Sequence, residues 1–121
     1  MVGKEFDISG DWECNYVYFS AKYSKNPFKM KILSADKSRL EGITVEPRTY
    51  FGPQDKKELD AHFAGSLDLG NGTFEFRKIY TYSKEHSVLY SGRFSSFESM
   101  NGIWRTKIDW SGEWSCNKVN R

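Results

Sequence analysis

Tyr16, Tyr18, Lys78, Tyr80, Tyr90 and Trp104 are the residues of this chain whose types could act together on a small molecule. Phenolic hydroxyls, one ammonium and one indole N–H form a set of hydrogen-bond donors set among flat rings. Such a set suits a pocket for a small aromatic or anionic ligand, with Lys78 as the charge and the tyrosines as orienting groups. The same Tyr and Lys groups could serve an enzyme as acid and base. A buried hydroxyl left without a partner costs about 1–3 kcal/mol, so these groups must meet each other, water or a ligand. The plainer alternative is that the tyrosine tips and the Lys78 ammonium reach the mouth of the fold and stay hydrated.

Other constellations offer less. His62 and His86 are the two histidines, and neither has a Ser, Cys or carboxylate at a spacing that suggests a triad. His86 belongs to the charged turn Lys84-Glu85-His86. His62 lies on the strand face opposite Phe63 and is expected to point outward. Asp68 could pair with a ligand amine or with Lys78, but a short acid before a turn ordinarily caps the turn backbone. There is no glycine-rich phosphate loop, and two cysteines without a Cys/His cluster do not make a zinc site. No catalytic residue, metal or cofactor is assigned.

The elements that must position these residues read as strands. Trp12, Cys14, Tyr16 and Tyr18 alternate along one face of the first. Lys22 to Pro27 is expected to be a polar connection, followed by Phe28, Met30 and Ile32 alternating with Lys29 and Lys31. Leu40 to Val45 changes its apolar parity across Gly42, which predicts a bulge or bend there. Glu46 to Asp60 is the longest region without a clear strand, with a short helical turn expected over Gln54 to Leu59. His62 to Leu69 alternates again, and Gly70-Asn71-Gly72 marks a tight hairpin turn. Strands follow over Thr73 to Tyr82, Ser87 to Phe94, Met100 to Ile108 and Glu113 to Val119. The inward faces then include Phe63, Phe74, Phe76, Lys78, Tyr80, Tyr82, Tyr90, Trp104, Thr106 and Ile108.

Eight short strands joined by mostly tight, sequential turns predict an all-β fold: a single antiparallel up-and-down barrel spanning 1–121. Gly10-Asp11-Trp12-Glu13-Cys14-Asn15 is nearly repeated as Gly112-Glu113-Trp114-Ser115-Cys116-Asn117. Gly10, Trp12, Gly112 and Trp114 are therefore assigned to barrel closure, as a seam between the first and last strands and a plug at the bottom. Closure removes the edges that otherwise invite aggregation. If those strands pair, Trp12 opposite Lys118 and Trp12 opposite Trp114 are both possible registers, and a Cys14–Cys116 disulfide depends on which is adopted.

Composition narrows the rest. With 121 residues, 17% of them aromatic, the chain can bury a core as one domain. A net charge of +2 gives no electrostatic footprint for nucleic acid. Met1 to Phe6 has no apolar signal region and no stretch has membrane-spanning length, so a soluble, cytoplasmic protein with reduced cysteines is expected.

Gly10-x-Trp12, Asp68-x-Gly70-x-Gly72-Thr73-Phe74, Lys78-x-Tyr80, Tyr90-x-Gly92 and Gly102-x-Trp104 together resemble the avidin-like and lipocalin-like small barrels, the calycin group. The length and ending are most similar to avidins. Avidins carry Asn, Leu and Ser at the alternate positions after Gly-x-Trp, whereas this chain has Cys14, Tyr16 and Tyr18, so biotin binding is not implied. The resemblance implies a non-enzymatic barrel holding an unidentified small molecule in or at its mouth, with self-association through the barrel wall as a further possibility. The rival classes are an interaction scaffold with a plugged interior and a small-barrel enzyme using Tyr and Lys78.

Overall fold

The alternation in the sequence is realised as eight strands, each paired antiparallel to the next and the last to the first, in a computed structural model that describes residues 8–35, 38–48, 52–68, 70–96, 98–107 and 110–119. The strands are β1 (Gly10–Tyr18), β2 (Ala21–Ala35), β3 (Arg39–Pro47), β4 (Glu58–Asp68), β5 (Thr73–Tyr80), β6 (Ser87–Ser96), β7 (Ser99–Arg105) and β8 (Ser111–Lys118). The expected single closed up-and-down barrel is the observed fold. Leu69, Ile108 and the first seven residues lie outside the described residues.

Period-two alternation decides what lies inside. Trp12, Cys14 and Tyr16 of β1 and Phe28, Met30 and Ile32 of β2 are buried, while Glu13, Lys29 and Lys31 between them are exposed. Phe63 of β4 and Phe76 of the neighbouring β5 pack 4.7 Å apart on the inner face. Trp12 closes the bottom: its indole Nε1 donates to the Ile8 carbonyl at 2.9 Å, and both residues are only 1% exposed. Gly10 enters β1 with φ 108°, a left-handed conformation that glycine adopts without penalty.

Several expectations are corrected. Lys22 to Pro27 is not a connection but the first half of β2, which pairs with β1 back to Tyr18 opposite Ala21. Pro27 fits there because β3 pairs with β2 only from Lys29 onward, so no ladder on that side needs its missing N–H. The bulge falls on β2 between Ile32 and Ser34, not at Gly42. Gly42 continues the inward row Leu40, Gly42, Thr44, Glu46, and Ile43 and Val45 are the outward residues. A Cβ at Gly42 would lie 2.5 Å from the Phe63 ring, so glycine is needed for packing rather than for a bend. The stretch Gln54 to Leu59 holds a turn, closed by Lys56 N–H donating to the Pro53 carbonyl at 3.1 Å, and Leu59 already belongs to β4.

The seam takes the register with Trp12 opposite Lys118, which sets Cys14 opposite Cys116. The two form a disulfide with Cα atoms 4.0 Å apart, in place of the reduced thiols expected for a cytoplasmic chain. Of the assigned closure residues, Gly10 and Trp12 lie at the bottom, whereas Gly112 faces Tyr18 at the other end. The repeated Gly-x-Trp of β8 has its reciprocal partner in β7. Gly102 pairs with Trp114, and Trp104 pairs with Gly112. Each glycine thus lies beneath the tryptophan of the neighbouring strand. Across Gly112 the Trp104 indole reaches the Val17 carbonyl at 3.1 Å; across Gly102 the Trp114 indole reaches the Ser91 carbonyl at 3.3 Å. A Cβ on Gly112 would stand 2.7 Å from the Trp104 Nε1.

Candidate functional site

Inside the barrel, β3 and β5 bring a carboxylate and an ammonium together. Lys78 Nζ donates to Glu46 Oε1 at 2.7 Å, and both side chains are 1% exposed. Three tyrosines surround the pair. Tyr80 donates to the same Glu46 oxygen at 2.7 Å, Tyr16 donates to Glu46 Oε2 at 3.4 Å, and Lys78 donates to the Tyr90 hydroxyl oxygen at 3.2 Å. The ammonium also lies over the rings of Phe28, Tyr80 and Tyr90, 4.9, 4.9 and 5.3 Å from their centroids. These faces supply negative potential where water cannot reach.

Burial drives the electrostatics. Desolvation holds the Lys78 ammonium below its ordinary pKa, with Glu46 opposing that shift. Desolvation, reinforced by the neighbouring Glu46, pushes the Tyr16 hydroxyl far above its ordinary range. Tyr80 rises for the same first reason, with Tyr90 and then Glu46 adding to it, and Tyr90 rises by burial and then Glu46. All three tyrosines are therefore neutral donors at physiological pH.

Above this network lies a cavity of about 590 Å³, at the end of the barrel formed by the β5–β6 and β7–β8 turns. Its walls are Tyr16, Tyr18, Tyr80, Val88, Tyr90 and Trp104; its rim is Tyr82, Ser83, Glu85, His86, Ser87, Thr106, Lys107 and Trp110. Edge-to-face contacts hold one wall in shape. Tyr18 meets Trp104 at 5.0 Å and 88°, and Trp110 at 5.2 Å and 74°. Tyr16 meets Trp104 at 5.7 Å and 86°. At the opposite side of the rim, His86 Nδ1 is hydrogen-bonded to the Tyr82 hydroxyl, and its ring packs 4.7 Å from Tyr80. Desolvation lowers the His86 pKa, which keeps the imidazole neutral in this contact.

The structure gathers Tyr16, Tyr18, Tyr80, Tyr90 and Trp104 around one cavity. Lys78 sits behind them, neither hydrated at the mouth nor offering an unpaired charge, because Glu46 closes it off. Glu46, His86 and Trp110 are site residues that sequence reasoning misses. Glu46 is hidden by the outward Ile43 and Val45, which mimic a core face; the signal was the buried lysine itself, which required a carboxylate. His86 sits in a polar turn that only the folded barrel places over the cavity. Asp68 caps its turn, accepting from the Asn71 backbone N–H at 3.2 Å and the Asn71 side-chain amide at 2.8 Å, and has no part in the site. His62 is exposed on the outer face. Among the described residues no group of three or more His, Cys, Asp or Glu side chains could hold a metal ion, and no helix is long and apolar enough to cross a membrane.

No protein-family model matches the chain, and neither does any curated protein. Among solved structures it is similar to a redesigned beta barrel, at a TM-score of 0.77 and 9% sequence identity, over 93% of this chain and 92% of that one. At that identity the likeness establishes the small closed barrel and nothing finer.

Proposed function

We propose that the barrel is a binding protein for a small aromatic molecule, held in the cavity at its mouth without chemical conversion. The observation that carries this is the cavity of about 590 Å³ walled by Tyr18, Trp104 and Tyr90 over a polar floor. A preformed recess, mostly apolar with a few convergent polar groups, is the usual form of a small-molecule site. The tryptophan and tyrosine walls are braced by edge-to-face contacts and by the Trp104–Val17 hydrogen bond, so little order has to be imposed on binding. The avidin-like and lipocalin-like pattern supports the same reading, since eight-stranded barrels of that kind have room for one small ligand. The Glu46–Lys78 pairing argues against an anionic ligand bound at the floor, because the Lys78 ammonium behind the cavity is already neutralised at 2.7 Å. The Cys14–Cys116 disulfide favours an oxidising compartment over the cytoplasm.

The test is a fluorescence titration with N-phenyl-1-naphthylamine, a neutral dye that brightens in apolar sites, on the native protein and on Thr106→Trp. The native barrel brightens the dye with saturation at one equivalent, and the variant, with an indole in the mouth, does not. Equal enhancement by both proteins, or none by the native one, overturns the reading.

A further inference from the structure

The buried ion pair does more than fill the core: it fixes which way the hydroxyls of Tyr16, Tyr80 and Tyr90 point. The Glu46 carboxylate can only accept, so the protons of Tyr16 and Tyr80 are directed onto it. The Lys78 ammonium can only donate, so it takes a lone pair of the Tyr90 oxygen. The Tyr90 proton is therefore turned away from the ammonium, and hydrogen bonding to a cation strengthens that hydroxyl as a donor. Tyr90 is at once a member of this network and a wall of the cavity. Tyr16 and Tyr80, which share that wall, present oxygens whose protons are already committed. These three hydroxyls thus have a defined polarity, one donor beside two oxygens whose protons are committed, and the Lys78 charge behind them is paired.

Resting on the aromatic-ligand reading, we infer that the cavity selects a neutral planar aromatic molecule carrying a carbonyl-type acceptor, and that Tyr90 is the residue that reads it. A ligand without an acceptor leaves the Tyr90 proton unmet when the cavity is dried, which is a penalty on the wrong ligand rather than a bonus for the right one. A carboxylate ligand would bring a second negative charge toward Glu46, and the Lys78 ammonium behind the floor is already paired, so it is disfavoured although it also accepts.

Three naphthalenes differing in one group separate these cases: 2-acetylnaphthalene, 2-ethylnaphthalene and 2-naphthoate, each titrated against native protein and Tyr90→Phe by quenching of tryptophan fluorescence. In the native protein the acetyl compound binds about fivefold to tenfold more tightly than the ethyl compound, the size of one neutral hydrogen bond, and more tightly than the naphthoate. In Tyr90→Phe the acetyl and ethyl compounds come within twofold of each other. Equal native affinities for acetyl and ethyl, a native preference for naphthoate, or an acetyl preference that survives Tyr90→Phe each overturns the inference while leaving the aromatic site standing. Failure of all three probes to bind removes the aromatic site itself, and this inference with it. The native ranking decides the question even where the variant does not fold.

Discussion

Glu46 Oε1 and Lys78 Nζ lie 2.7 Å apart at the centre of the barrel, contributed by β3 and β5 and joined by the hydroxyls of Tyr16, Tyr80 and Tyr90. Two charges this deep are stable only as a unit. Removing one partner strands the other in a medium that cannot solvate it. Lys78→Met or Glu46→Leu alone is expected to cost about 3–5 kcal/mol, and the double replacement Glu46→Leu with Lys78→Met to recover most of that loss. Urea unfolding of the four proteins measures it. Additive costs in the double variant would show that the pair is not a unit.

The same network makes the protein sensitive to alkali. Tyr16, Tyr80 and Tyr90 hold their protons to higher pH in the fold than the ordinary value of 10.0. The unfolded chain releases those protons first, so their contribution is complete below pH 10 and is lost as pH rises above it, by up to about 1.4 kcal/mol per pH unit for each tyrosine. Lys78, lowered from 10.5, acts in the opposite sense and adds stability as pH rises, but only up to 10.5. Above that value the tyrosines act unopposed. Tyrosinate absorbance from the buried tyrosines is expected to appear together with loss of the circular dichroism signal, in one cooperative step. Ionisation of all seven tyrosines before unfolding would contradict the network.

The seam disulfide links residues 102 positions apart, tying the first strand to the last. Closing a loop of that length in the unfolded chain contributes about 4.7 kcal/mol on a chain-entropy account. Cys14→Ala with Cys116→Ala, or reduction of the native protein, is expected to lower the urea midpoint by a corresponding amount, and added reductant to leave the double variant unaffected. A midpoint indifferent to both treatments would mean that the barrel closes by strand pairing alone.

Glycines of the strand walls and of the turns differ in what a side chain would meet. A Cβ on Gly112 would sit 1.8 Å from the Val17 carbonyl oxygen and 2.7 Å from the Trp104 indole nitrogen. Gly112→Ala is expected to cost about 2–3 kcal/mol through overpacking and to displace the Trp104 wall of the cavity. Gly70→Ala, whose nearest neighbour is the Asp68 carboxylate at 3.4 Å, is expected to change stability by less than about 0.5 kcal/mol. Thermal melts of the two variants, with tryptophan fluorescence as a report on Trp104, check the contrast.

How much of this was legible in the sequence follows from where the period-two rule applies. Tyr16, Tyr80, Tyr90 and Trp104 lie in strands whose alternation is clean, so their common face and their gathering at one end could be read directly. Glu46 could not be, because alternation by hydrophobicity fails when the inward residue is charged and the outward Ile43 and Val45 are apolar. Pro27 misled for a related reason: proline marks a loop unless one side of the strand lacks a neighbour, which depends on the length of β3. The disulfide needed the seam register, and that register is set by the whole closed sheet. The Gly-x-Trp repeats were visible as motifs, but the reciprocal placement of Gly102 under Trp114 and Gly112 under Trp104 belongs to the β7–β8 pairing.

The central claim is that the mouth of the barrel, over the Glu46–Lys78 network, holds an aromatic ligand. The most direct measurement is the ring-proton NMR spectrum of the native protein through a titration with 2-acetylnaphthalene. Saturable shifts, at one equivalent, are expected for Tyr18, Trp104 and Trp110, with Trp12 at the closed bottom and His62 on the outer wall unmoved. Shifts confined to the outer wall, or no saturable shift at Trp104, would contradict it.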